Sequence, residues 1–400
     1  MEPTSVYLHI PFCHHRCAYC DFNTYAGQES KIPAYVQALC NEITRVTGKV
    51  HAKYPIHTIF FGGGTPSLLT VDQMEKILNT LRSAFEFSSE LEISLEANPG
   101  TTSKEYLSVL RKIGINRLSM GMQSAQPEEL KLIQREHDFP DVIHSVEWAR
   151  LAGFENINLD LLFAIPGQSL DSWRFSLERA LELNIEHLSL YSLTVEEGTP
   201  LSQWVNRGLL KQTDDDLAAD MMEIASERLR SANFEQYEIS NWALNNGDGK
   251  NYQCQHNLQY WRNQPYFGFG AGAHGCIGGY RIANTRGISE YIHLVEAGVE
   301  NEKPFPFSPT TVEITELNQT ISMQETMMVG LRLTQEGVSR EKFLQTYNLD
   351  MEDVFGKEIK KLTSQGLLEW INRSSSLRLT PRGRYLGNRV FMEFVGDSSL

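Results

Sequence analysis

The segment VYLHIPFCHHRCAYC, residues 6–20, joins a strand-like apolar run to three closely spaced cysteines. Residues Val6–Ile10 are β-branched, aromatic or otherwise apolar around one histidine, which predicts a strand. Cys13, Cys17 and Cys20 follow in the loop after that strand. Three thiols so close together favour a metal or cluster site over unrelated buried cysteines.

Two kinds of metal site are compatible with this spacing. A structural zinc ion usually takes four ligands in two separated pairs, so His14 or His15 would have to supply the fourth ligand from the same loop. A four-iron cluster held by three thiolates instead leaves one iron open to a substrate or cofactor. The residues alone leave both alternatives open.

Further strand-like runs follow over the first two thirds of the chain, and helical patterns separate them. The predicted strands are Thr58–Phe61, Leu91–Leu95, Arg117–Met120, Ile157–Phe163 and His187–Leu193. The predicted helices are Pro33–Val46, Val71–Phe85, Ser103–Ile113, Phe139–Ala152 and Ser169–Leu183. Strands that alternate with helices predict an α/β fold with a parallel sheet, here a partial (β/α)6 barrel whose chemistry lies at the C-terminal ends of the strands.

Three segments are predicted along the chain: the partial barrel in residues 1–200, an extension in 201–301, and a C-terminal winged-helix-like α+β domain in 310–400. The proline-rich residues 302–309 are the predicted linker. In the extension we expect a helix over Asp215–Ser231 and a strand over Gln236–Ile239. In the C-terminal domain we expect helices over 325–333, 339–348 and 353–370 and a hairpin over 374–384.

Composition narrows the class of protein. The chain of 400 residues has 36 Lys and Arg, 50 Asp and Glu and a net charge of −14, so we expect no nucleic-acid partner and a packing role for the winged-helix-like domain. The N-terminal sequence lacks the pattern of a secretory signal, and no stretch approaches the roughly 18 apolar residues of a membrane span. A cytoplasmic protein is the resulting prediction.

Polar and glycine residues follow the other predicted strands. The loop Gly62–Pro66 allows close backbone approach to a ligand but lacks the Lys-Ser or Lys-Thr of a phosphate-binding loop. Glu96, Gln123 and Asp160 stand at the ends of the third, fourth and fifth strands, where they can accept hydrogen bonds from hydroxyl or amino groups. Arg135, predicted in the helix after Gln123, can bind a carboxylate.

The pattern C-x3-C-x2-C with Tyr19 before the last cysteine resembles the signature of the radical S-adenosylmethionine (SAM) superfamily. This resemblance implies a [4Fe-4S] cluster on Cys13, Cys17 and Cys20, whose remaining iron binds the amino and carboxylate groups of SAM. It also implies reductive cleavage of SAM to methionine and a 5′-deoxyadenosyl radical.

A narrower resemblance rests on YLHIPFCHHRCAYCDFN, FFGGGTPSLL, SLEANPG, SMGMQS, REHD and NLDLLFAIPGQ. Together they resemble the branch that contains oxygen-independent coproporphyrinogen III dehydrogenases and related haem chaperones. The cofactor-binding positions that this resemblance implies are Tyr7, Tyr19, Gly63, Gly64, Thr65, Glu96, Gln123, Arg135, Asp160, Thr194 and His274.

Two features favour the chaperone side of that branch. The dehydrogenases have a fourth cysteine two residues after the third, where this chain has Phe22. The chaperones have an HNxxYW motif, which here runs from His256 to Tyr260 and Trp261. The resemblance implies haem binding and transfer to haem-requiring acceptor proteins, membrane-associated ones among them, and a homodimer is a further expectation.

The chemistry of that motif is compatible with haem. Imidazole is a good axial ligand for haem iron, aromatic rings stack on a porphyrin, and His256 and Tyr260 share a face at helical spacing. An aromatic core with a hydrogen-bonded histidine is the alternative, and Cys254 and Cys276 are further possible thiolate ligands. Two other functions stay open: oxidative decarboxylation of coproporphyrinogen III, and a nucleic-acid-modifying radical enzyme.

Overall fold

The computed structural model describes residues 3–247, 249–297, 303–373 and 375–395. In these segments the strands are β1 (Thr4–Ile10), β2 (Phe12–Cys13), β3 (Tyr25–Ala26), β4 (Pro55–Gly63), β5 (Glu86–Ala97), β6 (Arg117–Gln123), β7 (Asn156–Phe163), β8 (His187–Ser192), β9 (Phe234–Gln236), β10 (Asn241–Leu244), β11 (Tyr266–Phe269), β12 (His274–Ile277), β13 (Tyr280–Asn284), β14 (Thr311–Glu316), β15 (Val338–Ser339), β16 (Leu368–Ile371) and β17 (Ser376–Leu379).

The helices of the same segments are α1 (Ile32–Thr47), α2 (Val71–Ala84), α3 (Lys104–Ile113), α4 (Pro127–Leu132), α5 (Phe139–Leu151), α6 (Leu170–Leu181), α7 (Pro200–Asn206), α8 (Asp215–Ser231), α9 (Gln255–Trp261), α10 (Ile288–Glu296), α11 (Gln319–Gly330), α12 (Arg340–Tyr347), α13 (Met351–Ser364), α14 (Pro381–Tyr385) and α15 (Gly387–Met392). Single 3-10 turns occur at Glu29–Lys31 and Pro66–Leu68. None of the helices in these segments is long and apolar enough to cross a bilayer.

The chain forms two compact units, the first from residues up to 232 and 265–315, the second from residues 233–264 and 316 onward. The segment boundaries predicted from the sequence, 1–200, 201–301 and 310–400, stay a prediction. Of the predicted linker, residue 302 lies outside the described residues, and residues 303–309 belong to the first unit.

A parallel sheet organises the first unit. Strands β1, β4, β5, β6, β7 and β8 are adjacent in that order and pair in parallel, with helices in the connections between them. β11 pairs in parallel with the other side of β1, and β12 and β13 continue the sheet antiparallel. The predicted α/β fold with a partial (β/α)6 barrel is confirmed, and every predicted strand and helix of this region is present within a few residues.

Local sequence signals explain where these helices begin. Thr70 and Gln73 form a reciprocal capping box at the start of α2, and Asp138 and Asp141 form another at the start of α5. Strand β6 is buried along its whole length, as expected for a central strand covered on both faces. The burial of β6 extends to its polar residues Arg117, Ser119 and Gln123, so this strand is not apolar throughout.

A buried carboxylate ties α1 to the later strands of the first unit. Glu42 is fully buried and accepts hydrogen bonds from the Gly270 amide (2.9 Å), the Asn284 amide nitrogen (2.9 Å), the Tyr291 hydroxyl (2.7 Å) and the Thr310 hydroxyl (2.8 Å). Burial raises the pKa of Glu42, and the hydrogen bonds oppose that rise. Both oxygens have two donors each, so the site suits a carboxylate and no other side chain of that size.

The second unit has a helical core with a small sheet. α11, α12 and α13 pack with a three-stranded sheet in the order β15-β17-β16, and β9 pairs antiparallel with β10. This arrangement is the predicted winged-helix-like α+β domain. Met327, Leu331, Phe343 and Leu377 are among the buried residues of its core.

Four sequence predictions in this unit were wrong in detail. The helix predicted over 325–333 begins earlier, at Gln319, and ends at Gly330. The predicted strand Gln236–Ile239 is shifted, because β9 ends at Gln236 and β10 begins only at Asn241. The helix predicted over 353–370 ends at Ser364, because Gly366 adopts a left-handed φ of 69°, and the remaining residues form β16. The hairpin predicted over 374–384 lies earlier in the chain, where β16 and β17 pair antiparallel. The later residues of the predicted hairpin do not belong to it, because Pro381 begins helix α14.

We expect Glu42→Gln to lower the free energy of unfolding of the first unit by about 3 kcal/mol, because the amide leaves two buried donors without an acceptor. Hydrogen exchange of α1 amides, followed by mass spectrometry, reports on this unit alone. Glu75→Gln, at an exposed position of α2, is the matched control and should exchange as the wild type does. Equal exchange in both variants would contradict the assigned role of Glu42.

Candidate functional site

The three cysteines lie on one loop at the C-terminal end of β1. The short strands β2 and β3 pair in parallel and close this loop, which contains Cys17 and Cys20 and begins at Cys13. The Ala18 amide donates to the Ile133 carbonyl at 3.1 Å, which fixes the middle of the loop to the segment after α4. Cys13 is buried, and the other two thiols are half-buried.

Each of the three sulfur atoms has a hydroxyl or guanidinium group within hydrogen-bonding distance. Thr65 Oγ1 donates to Cys13 Sγ at 3.5 Å, and Arg135 Nη1 donates to Cys17 Sγ at 3.5 Å. Thr24 Oγ1 lies 3.8 Å from Cys20 Sγ. Donors aimed at sulfur stabilise thiolates, which is the form that binds iron. The donor set therefore fits a group held by three thiolates.

Burial has the opposite effect on these thiols while no metal is bound. It raises the pKa of the Cys13 thiol to about 11 and also raises the pKa of Cys20. A cluster bound by these thiols would displace such protons, because the thiolate is the form that binds metal. In the segments that the structure describes, no three His, Cys, Asp or Glu residues are grouped to hold a single metal ion. A four-iron cluster does not require such a group, because each thiolate binds a different iron.

Asn98, which the sequence analysis did not include, connects two of the sulfur contacts. Its amide nitrogen donates to Thr65 Oγ1 at 3.0 Å, and its amide oxygen accepts from Arg135 Nη2 at 2.7 Å. A continuous chain of hydrogen bonds thus runs from Cys13 through Thr65, Asn98 and Arg135 to Cys17. The sequence did contain a signal for Asn98, because this residue directly follows the end of β5, where side chains face the site.

Arg135 is a correction to the sequence prediction. It lies in the loop between α4 and α5, not in a helix, because α4 ends at Leu132 and Gln134 adopts a left-handed φ of 57°. Its Nη2 also donates to the Gly121 carbonyl at 2.8 Å. A Cβ atom at Gly121 would lie 2.9 Å from that nitrogen, so only glycine allows this approach.

The glycine loop after β4 packs directly on the cysteine loop. The Gly64 amide donates to the Ile10 carbonyl at 2.9 Å, and the Thr65 amide donates to the Phe12 carbonyl at 2.8 Å. Gly63 has a φ of 111°, and a Cβ atom there would lie 2.5 Å from the His9 ring. Glycine is required at this position by both conformation and space.

Tyr7 and His9 support this loop from β1. The His9 Nε2 bonds the Asn23 carbonyl at 2.9 Å, so that nitrogen carries the proton, and His9 Nδ1 accepts from the Tyr7 hydroxyl at 2.9 Å. Burial lowers the pKa of His9, which keeps the ring neutral. The predicted contact residue Tyr7 is therefore engaged through its hydroxyl with His9.

Two acidic side chains lie on β5 and β7, the strands on either side of β6. Glu96 is near the end of β5, whereas Asp160 is in the middle of β7 and not, as predicted, at its end. Glu96 accepts from the Gly63 amide at 3.0 Å, and Asp160 accepts from Asn158 Nδ2 at 2.8 Å and from the Ser119 hydroxyl at 3.3 Å. Burial and the charge of Asp160 raise the pKa of Glu96 to about 8, and burial also raises the pKa of Asp160. A cation bound between them would lower both pKa values.

Gln123, at the end of β6, has an unusual backbone conformation and a free side chain. Its φ of 63° is rare for a residue other than glycine, and strained conformations of this kind concentrate at binding sites. Within the described residues its side-chain amide has no hydrogen-bond partner, and it retains 8% exposure. This amide is available to a ligand at the C-terminal edge of the parallel strands.

The remaining predicted cofactor positions of the first unit lie nearby or on its surface. Tyr19 is half-buried and packs against the cluster that contains Leu130 and Ile133. Thr194 is exposed in the loop after β8, and His274 is exposed at the start of β12. His274 is near enough to His9 for its charge to lower the pKa of that ring further.

Cavities of different character occur in the first unit. One of about 310 Å³ opens beside Cys17 and is also lined by His15, Thr65, Asn98 and Arg135. A larger groove of about 890 Å³ lies between α1 and α2, and none of the predicted site residues lines it. The smaller cavity is therefore the one related to the cysteine loop.

The HNxxYW residues belong to the second unit, on helix α9. The predicted shared face is confirmed, since His256 Nε2 lies 2.9 Å from the Tyr260 hydroxyl and the two rings meet edge to face at 5.0 Å. The His256 side chain is only 1% exposed. Trp261 packs against a cluster that contains Tyr237 and Leu258. Of the two further candidate thiols, Cys254 precedes α9 in this unit, whereas Cys276 lies on β12 of the first unit.

Comparison with known proteins agrees with this architecture. Residues 7–180 match the Radical SAM superfamily, and residues 317–386 match the HemN C-terminal domain. Among solved structures, the coproporphyrinogen III oxidase HemN from Escherichia coli superimposes with a TM-score of 0.82 at 24% identity, over 100% of this chain and 91% of that chain. This similarity supports the fold.

Curated relatives match over nearly the whole chain. The heme chaperone HemW of Bacillus subtilis is 41% identical over 98% of this chain and 99% of its own length. The heme chaperone HemW of Lactococcus lactis is 35% identical over 99% and 98%, respectively. With identities of 41% and 35% along nearly the full length, this chain belongs to the HemW family of the radical SAM superfamily.

Proposed function

We propose that this chain is a haem chaperone, which binds haem and transfers it to haem-requiring acceptor proteins, on a scaffold that carries a [4Fe-4S] cluster. The observation that carries this proposal is the 41% identity over 98% of the chain to a protein named heme chaperone HemW. Phe22 adds support, because it replaces the cysteine expected of a dehydrogenase and its side chain is 64% exposed.

In this proposal Cys13, Cys17 and Cys20 would hold the cluster, and SAM would bind beside it. The cluster, when reduced, supplies the electron for cleavage of SAM. The residues proposed to contact SAM are Tyr7, Tyr19, Gly63, Gly64, Thr65, Glu96, Gln123, Arg135, Asp160, Thr194 and His274. Glu96 and Asp160 are half-buried acids with raised pKa values, so a ligand that carries amino and sulfonium charges would favour their ionised forms.

Haem is proposed to bind at the α9 motif, with His256 as iron ligand and Tyr260 and Trp261 against the porphyrin. In the present conformation the imidazole is buried and bonded to Tyr260. Iron ligation therefore requires that this hydrogen bond break and that the ring become accessible. Membrane-associated acceptors, a homodimer, the absence of a nucleic-acid partner and a cytoplasmic location stay predictions.

The experiment that tests the proposed function is an anaerobic assay of cluster-loaded protein with coproporphyrinogen III, SAM and a low-potential reductant. We expect no multiple turnover to protoporphyrinogen, together with stoichiometric binding of haem by the same preparation. Repeated turnover would refute the chaperone proposal and favour the dehydrogenase. Direct transfer would appear as a haem-transfer rate that rises with the concentration of a haem-depleted acceptor, whereas passive release to apomyoglobin would not depend on trap concentration.

Haem ligation by His256 predicts opposite effects for two variants. His256→Ala should abolish the wild-type Soret spectrum and weaken ferric haem binding at least tenfold. Tyr260→Phe removes the competing hydrogen bond and keeps the imidazole, so it should bind haem as tightly as the wild type or more tightly. Spectroscopic titration measures both, and His293→Ala, at an exposed histidine, is the control. An unchanged spectrum in His256→Ala would assign the iron to another ligand.

Asn98→Ala should lower the reduction potential of the cluster by about 40 mV, the one-electron equivalent of roughly 1 kcal/mol. The reason is that Thr65 and Arg135 lose the amide that orients them, and hydrogen bonds to sulfur raise cluster potentials. A redox titration followed by electron paramagnetic resonance measures the potential in protein with verified iron content. Asn206→Ala, at an exposed position, is the control, and equal potentials in both variants would refute this role.

A further inference from the structure

In the second unit, the guanidinium group of Arg332 lies against the aromatic residue that ends the HNxxYW motif. Its Cζ atom is 5.0 Å from the centroid of the Trp261 ring and 4.6 Å from the centroid of the Phe391 ring. Both distances are typical of cation–π contacts, and two such contacts restrict the orientation of the guanidinium plane. The cation is therefore held in place before any anion binds to it.

Arg332 differs from neighbouring arginines of this unit in having no anionic partner. Arg262 bonds Glu336 at 2.7 Å, and Arg340 bonds Asp350 at 2.8 Å. Within the described residues, no group accepts a hydrogen bond from the side chain of Arg332, and its Nε atom is buried. The terminal nitrogens are not among the buried unpaired atoms, so they remain accessible to a ligand.

Glu238 is the acidic residue whose charge acts on Arg332, but it does not neutralise the guanidinium group. Glu238 lies close enough for the charge of Arg332 to act on its pKa, but the two side chains form no ion pair. Glu238 is fully buried, receives the Ser240 amide at 3.2 Å on Oε1, and has no partner for Oε2 among the described residues. Burial lowers the pKa of Arg332, the signature of a cation that has lost water without gaining a counterion.

Trp261, whose ring contacts Arg332, contributes a second donor without an acceptor among the described residues. The Trp261 Nε1 atom is buried and has no hydrogen-bond acceptor in the described part of the chain. An arginine and an indole that both lack acceptors are suited to a ligand rich in acceptor oxygens. A carboxylate is such a ligand, and the planar fork of arginine binds it with two parallel hydrogen bonds.

We propose that Arg332 is the binding position for a carboxylate of the porphyrin, a haem propionate, beside Trp261. This inference rests on the proposed function, since it assigns a residue to the recognition of the haem that the α9 motif is proposed to bind. Haem combines a flat apolar ring, which matches the indole, with two propionates at one edge, which match a fixed cation. Trp261 thus matches the apolar ring of that ligand, and Arg332 matches its propionates.

The test compares ferric haem with haem dimethyl ester, in which both propionates are esterified. We expect the wild type to bind haem about ten- to a hundredfold more tightly than the diester, the ratio given by a charge-assisted hydrogen-bonded pair. Arg332→Gln should bind both ligands equally, with the affinity that the wild type has for the diester. Arg262→Gln, whose arginine already has an anionic partner, should keep the wild-type preference.

Each outcome of this titration is decisive. Equal weakening of both ligands in Arg332→Gln would show that Arg332 only stabilises the fold, and an absent preference in the wild type would also overturn the inference while leaving haem binding intact. If the wild type binds neither ligand, the proposed function itself fails. Arg332→Lys keeps the charge but loses the planar fork, so a partial preference is expected there if Arg332→Gln does not fold.

Discussion

The constraint on which the first unit depends is that parallel strands of one sheet all end at the same edge. This places the cysteine loop after β1, the glycine loop after β4 and Asn98 after β5 side by side, although up to 85 residues separate them in the chain. The hydrogen bonds from Thr65 to Cys13 and from Arg135 to Cys17 are consequences of that placement. Without the common edge, no donor from another loop would reach these sulfurs.

The electrostatics of this edge follow from the same packing. Burial raises the pKa values of both Glu96 and Asp160, and the charge of Asp160 raises the pKa of Glu96 further. Arg117 partly offsets this effect on both acids. Binding of a cationic ligand at this edge would favour the ionised forms of both acids and would release the protons that they hold. SAM, with a sulfonium and an amino group, has the required charge.

The sequence predicted the first unit well because its strands are buried on both faces and stand out as short apolar runs between amphipathic helices. It failed where a single backbone angle decides the outcome. The left-handed φ of Gln134 separates Arg135 from the helix in which it was predicted, and Gly366 divides a predicted helix into a helix and a strand. Asn98 was missed although its position after a strand was informative, because an asparagine in a turn is common and only the fold shows what it contacts. The joining of residues 233–264 with the C-terminal part of the chain has no local sequence signal at all.

The two sites differ in how far they are prepared for their proposed ligands. The cysteine sulfurs already have donors in place, which suits a cluster that stays bound. His256 is buried and bonded to Tyr260, so part of the free energy of haem binding must be used to uncover it. This cost weakens haem binding, but a carrier must also release its ligand. Release would be favoured because the His256 imidazole can bond to Tyr260 again once the iron has left. A carboxylate contact at Arg332, which needs no uncovering, would hold the haem while the iron ligand exchanges.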